Sequence, residues 1–262
     1  MVKGLYTAST GMINEQRRVD VLTNNMANSA TTGFKKEGTT SEAFKDVLAY
    51  KIKDTSEPWG AKTLGTMNMG VKIGENYTDY SQGALHETGN TFDLALSGDG
   101  FFAVEFTAKG EDGEAGETSV KYTRDGSFTL NADGELVTKD GDYLLDVDGD
   151  HIVLDPTQEF SVDRMGNIMQ DDENVGQIQI TDFEDYDYLE KYGENYFQTV
   201  DGAAEQDADA AVYSGYLESS NVQIVQEMVD LITYTRAYET NQKMIQAFDE
   251  TLSTAVNDVG KV

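Results

Sequence analysis

The sequence contains no cysteine and only two histidines among its 262 residues. Without cysteine there is no disulfide scaffold, no thiol nucleophile and no thiolate metal site. Each histidine, His86 or His151, lies in a polar stretch without a second imidazole nearby, which disfavours a histidine metal centre. No glycine-rich phosphate loop is present either. We therefore expect no catalytic residue, no cofactor and no metal ligand.

Basic residues are also scarce, since 19 Lys and Arg side chains face 48 Asp and Glu side chains, for a net charge of −29. Residues 66–214 hold 7 basic and 34 acidic side chains, a net charge of −27. Residues 1–65 carry +2 and residues 215–262 carry −4. A surface this acidic repels nucleic acid and anionic membranes, so we expect neither as a partner.

Long apolar runs are missing as well. No segment approaches the roughly 18 apolar residues that a membrane helix requires, so membrane insertion is not expected. The first 18 residues contain no apolar segment of the kind found in secretory signals. If the protein leaves the cytoplasm, we expect a route that does not read a cleaved apolar signal.

What the sequence does contain is apolar residues at heptad spacing near both ends. A strict a/d pattern is typical of a coiled-coil seam. The N-terminal seam residues are Leu5, Ala8, Met12, Val19, Leu22 and Met26. The C-terminal ones are Ile224, Met228, Leu231, Tyr238, Ile245, Leu252, Val256 and Val259. The two predicted helices are therefore expected to pack together.

The second predicted helix runs from a cap at Ser219 or Ser220 to about Val259, because this span has no proline or glycine. It carries a further apolar face, which predicts more than one packing partner. That face consists of Val225, Val229, Ile232, Met244, Phe248 and Ala255. The first helix should end where the Asn, Ser, Thr and Gly side chains of residues 28–33 interrupt the apolar pattern.

The middle of the chain is rich in short strand-like segments separated by Asp-Gly turns, which favours an antiparallel β structure. The predicted strands are FFAVEF, VKYT, SFTL, GELV, DYLLDV and HIVL, all between residues 101 and 154. Residues 109–117 are predicted to form a hairpin tip and residues 54–70 an irregular stretch. Asp146–Asp150 resembles a calcium loop, but His151 and Thr157 occupy the positions of the required Gly and Glu, so a hairpin turn is the better interpretation.

These patterns predict an α+β fold, in which long terminal helices form a coiled-coil-like domain and an antiparallel β-rich domain lies between them. The predicted domains are residues 1–34 with 215–262, an irregular or extended connection at 35–70, and the acidic β-rich domain at 71–214. Two interpretations of the helices stay open. Either they form an intramolecular hairpin that caps the β domain, or they gain most of their stability from neighbouring subunits, because six seam side chains bury little apolar area.

Several short motifs, each different from the others, are spread along the chain. The N-terminal ones are Leu5-Tyr6-Thr7-Ala8, Asn24-Asn25-Met26-Ala27-Asn28 and Thr31-Thr32-Gly33-Phe34-Lys35. The middle ones are Thr88-Gly89-Asn90, Asp93-Leu94-Ala95-Leu96, Gly98-Asp99-Gly100-Phe101-Phe102 and Tyr122-Thr123-Arg124-Asp125-Gly126. The C-terminal ones are Leu217-Glu218, Ser220-Asn221-Val222, Arg236-Ala237-Tyr238-Glu239 and Asn241. Together these motifs resemble the signatures of the bacterial flagellar axial proteins, the rod and hook subunits.

The resemblance implies a structural, non-enzymatic subunit of the distal rod, which assembles into a hollow helical driveshaft in the flagellar basal body. It implies that the partners are further copies of the chain, other rod and hook subunits, and the type III export apparatus that carries subunits beyond the cytoplasmic membrane. The alternative within the family is a proximal-rod or hook-type subunit. The alternative from another class is a secreted β-domain enzyme or adhesin.

Overall fold

The computed structural model describes residues 2–51, 62–109, 115–158, 160–171 and 173–259. The chain divides into two compact units, each assembled from separate chain segments. The helical unit consists of Met1–Ala27, Glu37–Asp79 and Gln223–Val262. The β unit consists of Asn28–Lys36 and Tyr80–Val222.

In its described residues, the helical unit contains two long helices and four strands. Helix α1 spans Val2–Ala27 and helix α2 spans Ile224–Thr254, followed by a π-helical turn at Ala255–Val259. Helix α1 ends directly before Asn28, as the change in sequence pattern predicted, so this boundary is confirmed. Helix α2 begins later than predicted. Ser220 does not cap it, because its hydroxyl accepts the N–H of Val222 within a local turn, while Gln223 precedes the helix.

The strands of the helical unit lie largely within residues 35–70, where the sequence predicted an irregular or extended connection. They are β1 Glu37–Ala43, β2 Val47–Lys51, β3 Lys62–Met67 and β4 Val71–Thr78. Strand β1 pairs antiparallel with β4, and β2 pairs antiparallel with β3. Both β1 and β4 contact α1. The segment Glu37–Ala43 has no apolar alternation, so its strand depends on backbone pairing that the sequence pattern does not reveal.

The β unit begins with the turn that follows α1 and continues through sixteen strands in the part of the chain that the structure describes. They are β5 Leu85–Glu87, β6 Leu94–Ser97, β7 Phe101–Lys109, β8 Ala115–Thr123, β9 Phe128–Leu130, β10 Leu136–Thr138, β11 Tyr143–Leu144, β12 Phe160–Val162, β13 Asn167–Gln170, β14 Glu173–Gln177, β15 Ile180–Phe183, β16 Leu189–Tyr192, β17 Tyr196–Thr199, β18 Glu205–Asp207, β19 Ala211–Ser214 and β20 Tyr216–Glu218. A 3₁₀ turn at Tyr186–Tyr188 precedes β16. All the strand pairs described are antiparallel.

Strand β7 lies inside the largest sheet, where it pairs with β8, β11 and β15. Successive side chains of a strand point to opposite faces of its sheet. Accordingly, Phe102 and Val104 belong to one buried apolar cluster, while Phe101 and Ala103 belong to another. Both faces of β7 are therefore covered, which explains why the run FFAV shows no polar alternation.

The fold class is confirmed as α+β with a β-rich middle. The predicted turn at Asp146–Asp150 is also confirmed, because the N–H of Gly149 donates to the carbonyl of Asp146. The prediction of a strand at HIVL is wrong. His151 forms one isolated β-bridge with Leu145, and Val153 forms another with Glu135. Residues 54–61 of the predicted irregular stretch and 110–114 of the predicted hairpin tip lie outside the described residues.

The units also group the chain differently from the predicted domains, because residues 28–36 and 215–222 belong to the β unit. Buried contacts between those two segments, described below, account for the difference. Among the helices that the structure describes, none combines the length and the apolar character needed to cross a membrane.

Candidate assembly surfaces

Helices α1 and α2 run antiparallel and pack directly against each other. Three contacts show the register of the pairing: Gly4 faces Phe248, Gly11 faces Asn241, and the guanidinium of Arg18 lies 5.0 Å from the ring centre of Tyr234. A Cβ at Gly4 would lie 2.6 Å from Cζ of Phe248. The glycine therefore allows the two helices to approach closely.

The predicted seam residues of α1 lie at or beside this contact. Ala8 and Leu22 are buried, whereas Leu5, Met12, Val19 and Met26 are half-buried. Gly4, Gly11 and Arg18, which contact α2, fall one residue before Leu5, Met12 and Val19. The α1 surface against α2 is thus rotated relative to the predicted stripe. Knobs-into-holes packing of a coiled coil stays a prediction.

The predicted seam residues of α2 divide into two groups. Leu231, Tyr238, Ile245 and Leu252 are half-buried. Ile224, Met228 and Val256 are 44%, 47% and 69% exposed. Val256 lies beyond the reach of α1, because Gly4 near the start of α1 already faces Phe248. The side chain of Val259 lies outside the described residues.

A second surface of α1 faces strand β1 through buried asparagines, which the seam analysis missed. Asn25 is fully buried, and its Oδ1 accepts the backbone N–H of Glu37 at 3.0 Å while its Nδ2 donates to the Glu37 carbonyl at 2.8 Å. The side chain of Asn25 thereby pairs with β1 as a strand backbone would. Asn14 Oδ1 accepts a hydrogen bond from the hydroxyl of Ser41 at 3.0 Å.

The motif residues after α1 hold the turn at 28–36 inside the β unit. Asn28 is buried and its carbonyl accepts the N–H of Thr31, Thr32 donates its hydroxyl to Asp125, and Phe34 is 1% exposed. Gly33 has a φ of +68°, and a Cβ there would lie 2.4 Å from the carbonyl carbon of Arg124. Only glycine satisfies both the backbone conformation and the close approach. Asn24, in contrast, is exposed.

The C-terminal motif residues have distinct positions. Asn221 accepts the N–H of Lys36 at 2.8 Å and donates to the carbonyl of Ser81 at 3.1 Å. In the motif on α2, Tyr238 and Asn241 are half-buried, and Asn241 faces Gly11 of α1. Arg236 and Glu239 are exposed. Two side chains of this motif, Tyr238 and Asn241, are thus partly covered, and the other two, Arg236 and Glu239, face solvent.

A buried ionic cluster ties the 28–36 turn to strand β20. The carboxylate of Glu218 lies 2.7 Å from Nζ of Lys35 and 3.3 Å from Nη1 of Arg124, and all three side chains are at most 3% exposed. Glu218 also accepts the N–H of Gly83 at 2.8 Å. Lys35 donates to the carbonyl of Ser81 at 2.9 Å. Sequence reasoning missed the cluster, although its three charges stand in three of the quoted motifs.

Helix α1, strands β1, β2 and β4 and the residues between them border an open apolar cleft of about 680 Å³ in the helical unit. Its lining residues are Tyr6, Thr10, Glu42, Ala43, Phe44, Lys45, Val47, Met69 and Lys72. Glu42 and Lys72 form an exposed ion pair at 2.7 Å. The hydrogen bond from Lys72 and its positive charge hold the pKa of the Glu42 carboxyl below its usual value.

The first turns of α2 carry a patch of exposed apolar side chains, which we call the α2 patch. It consists of Ile224, Val225, Met228, Val229 and Ile232, which are 44%, 78%, 47%, 53% and 55% exposed. Contiguous apolar surface on a soluble protein marks an interaction site. Val225, Val229 and Ile232 belong to the second apolar face that the sequence predicted.

The described residues were compared with the requirements of a metal site and of a catalytic histidine. They contain no cluster of three His, Cys, Asp or Glu side chains that could hold a metal ion. His151 lies between carboxylates, with Nε2 3.2 Å from Glu105 and Nδ1 3.5 Å from Glu135, and its ring stacks on Tyr143 at 4.2 Å. This arrangement joins neighbouring parts of the β unit.

Three family models match separate parts of the chain. The model for the flagella basal body rod protein matches residues 5–35, the flagellar hook protein FlgE/F/G D1 domain matches residues 95–170, and the flagellar basal body rod FlgEFG protein C-terminal model matches residues 213–258. The first and third cover most of α1 and α2. The second lies within the β unit.

Curated relatives match over nearly the full length. The flagellar basal-body rod protein FlgG of Bacillus subtilis is 36% identical, over 98% of this chain and 99% of the relative. The flagellar basal-body rod protein FlgF of Caulobacter vibrioides is 35% identical over 100% of both chains. The flagellar hook-basal body complex protein FlhO of Bacillus subtilis is 31% identical over 100% of both chains.

Proposed function

The chain belongs to the flagellar basal-body rod protein family, and from this we propose that it is a structural subunit of the rod in the flagellar basal body. The family is a structural one, which agrees with a chain lacking catalytic motifs. Copies of the chain polymerise head to tail into a hollow helical shaft that transmits torque.

The α2 patch is the single observation that supports polymerisation most directly. Its five apolar side chains are about half exposed or more in the isolated chain. Contact with another subunit would remove them from water, at roughly 25 cal/mol per Å² of apolar surface buried. On a chain with a net charge of −29, an exposed apolar surface of this size stands out, and a subunit contact would explain it.

We propose that the two terminal helices form the wall of the tube and that the acidic residues 66–214 face solvent. Residues 66–214, with a net charge of −27, supply most of the negative charge. Like charges in a polymer repel least when they lie at the largest radius, in contact with solvent and salt. The seam residues of the two helices, including Met26 and Ile245, then belong to the assembly interface or support it.

We further propose that the subunit occupies the distal part of the rod, in contact with other rod and hook subunits, after export through the flagellar type III apparatus. The Arg236-Ala237-Tyr238-Glu239 motif and the short middle of the chain favour the distal position. The absence of cysteine fits an export route in which the chain is threaded unfolded, because no disulfide can obstruct it.

The test is electron microscopy of the purified protein at high concentration, together with a Val229→Asp variant. The wild-type protein should form tubes or filaments, and Val229→Asp should abolish them, because it places a charge in the α2 patch. Val175→Asp is the matched control, since Val175 is 43% exposed on the β unit. If Val229→Asp polymerises as well as Val175→Asp, the patch has no part in assembly. If the wild type forms no polymer, the proposed function itself fails.

A further inference from the structure

We propose that the α2 patch of one copy docks into the apolar cleft of the helical unit of a second copy. This inference rests on the proposed function and identifies the partner of the patch. The contact would bring together two different surfaces of the same chain, so that each copy offers one patch and one cleft.

The two surfaces match in apolar character. The cleft walls include Tyr6, Phe44, Val47 and Met69, which are 55%, 37%, 54% and 39% exposed. The α2 patch presents isoleucine, valine and methionine side chains, and the cleft has a volume of about 680 Å³. In the single chain, therefore, the helical unit leaves both surfaces open to water, and docking would cover both at once.

The charges beside the two surfaces also match. Arg236 and Glu239 follow Ile232 by four and seven residues, so they continue the exposed face of α2 beyond the patch. The rim of the cleft carries the exposed ion pair of Glu42 and Lys72. Opposite charges meet if Arg236 approaches Glu42 and Glu239 approaches Lys72.

A third charged side chain also favours docking of the α2 patch into the cleft. Lys45 lines the cleft and is exposed, so the charged side chains around the cleft sum to a positive value. Lys45 and Lys72 both lie beside the cleft, so Glu239 of the docked helix would meet two lysines. Electrostatic attraction thus acts between Glu239 and the lysines beside the cleft, although the subunits as a whole repel each other.

Because patch and cleft are different surfaces, the contact is heterologous. Such a contact leaves an unused patch at one end and an unused cleft at the other, and it propagates into an open helical polymer unless the rotation closes into a ring. A patch-to-patch contact would instead give a closed dimer. The geometry of the contact is therefore part of what the experiment must decide.

Cysteine cross-linking tests the contact directly, because the wild-type chain has no cysteine of its own. Val229→Cys and Val47→Cys are made as separate proteins, mixed, polymerised and oxidised with copper phenanthroline. We expect a disulfide-linked dimer that contains one copy of each variant, at least tenfold more abundant than the cross-linked product of either variant alone. Mixing Val229→Cys with Val175→Cys is the matched control and should give only the background level.

The outcomes separate the two proposals. Polymers without the mixed dimer would overturn the docking of patch into cleft and leave the proposed function standing. Abundant cross-linking of Val229→Cys with itself would show a patch-to-patch contact and would also overturn the inference. If the wild type does not polymerise at any concentration, the proposed function and this inference fall together.

A charge exchange gives a second, independent test that does not depend on cysteine variants polymerising. Arg236→Glu should raise the protein concentration needed for polymerisation about tenfold, because it replaces the proposed pair of Arg236 and Glu42 by two carboxylates that repel each other. Adding Glu42→Arg to the same chain should return that concentration to near the wild-type value, since the cleft rim is then wholly basic. No recovery in the double variant would show that these charges do not meet.

Discussion

The substitution Glu218→Gln tests whether the buried ionic cluster holds the β unit together. The carboxylate of Glu218 is in contact with Lys35, Arg124 and the N–H of Gly83, and its side chain is 1% exposed. Glutamine keeps the shape but removes the negative charge, so two buried cations lose their anion. Breaking a buried ion pair from one side costs about 3–5 kcal/mol, because the remaining charge is no longer compensated.

The matched control is Glu42→Gln, which removes an ion pair with the same partner type at the same distance. Both Glu218 and Glu42 lie 2.7 Å from a lysine Nζ, but Glu42 is 63% exposed. Exposed pairs contribute about 0–1 kcal/mol, because water and salt screen the charges. The two lysine pairs therefore differ in burial, and Glu218 has in addition its buried contacts with Arg124 and Gly83.

Urea unfolding, followed by the near-ultraviolet circular dichroism of the tyrosines, measures the loss. With a urea slope of about 2 kcal/mol/M, Glu218→Gln should lower the unfolding midpoint by about 1.5–2.5 M. Glu42→Gln should lower it by less than about 0.5 M. Equal midpoints for the two variants would refute the argument that burial of the cluster determines its importance.

Three other predictions follow from different parts of the molecule. Ile245→Asp places a charge on the half-buried side of α2, so electron microscopy should show no polymer while circular dichroism shows an intact β unit. Polymerisation measured by light scattering should increase from low to moderate sodium chloride. Salt screens the repulsion between copies of residues 66–214, whose net charge is −27, over roughly 8 Å at physiological ionic strength. A clear decrease with salt would indicate that attractive charge pairs hold the polymer together instead. Burial and a neighbouring carboxylate raise the pKa of Tyr122, Tyr186 and Tyr196 above that of free tyrosine. The protonated tyrosines thus stabilise the folded β unit below about pH 10, and this stabilisation is lost as the pH rises further. The β unit should therefore unfold over the same pH range in which absorbance at 295 nm reports tyrosine ionisation. Tyr122→Phe should weaken this coupling between unfolding and ionisation.

Local patterns predicted much of the fold. The Asn-rich segment after Ala27 ended α1 where expected, and the Asp-Gly turns marked the ends of several strands. Of the predicted second apolar face of α2, Val225, Val229, Ile232 and Met244 are exposed, whereas Phe248 faces Gly4 of α1 and Ala255 is half-buried. Such features depend on residues within a few positions of one another, which is the range over which sequence patterns carry information.

Features that depend on distant residues were not predictable in this way. The strand at Glu37–Ala43 forms because β4 and Asn25 supply its hydrogen bonds. The pairing of Lys35 with Glu218 joins residues 183 positions apart. Neither partner shows an unusual local pattern, so a single sequence offers no sign that the two charges meet in a buried place.

The division of the helical unit between the two ends of the chain has a consequence for the order in which the protein folds. About 200 residues separate Ala27 from Ile224, so at ~5–20 residues per second α2 leaves the ribosome about 10–40 s after α1. During that interval α1 has no helix to pack against, whereas the β unit can already collapse around its clusters. The newly made chain is therefore unable to complete a polymerising surface until α2 has been synthesised, which delays self-association in the cell that makes it.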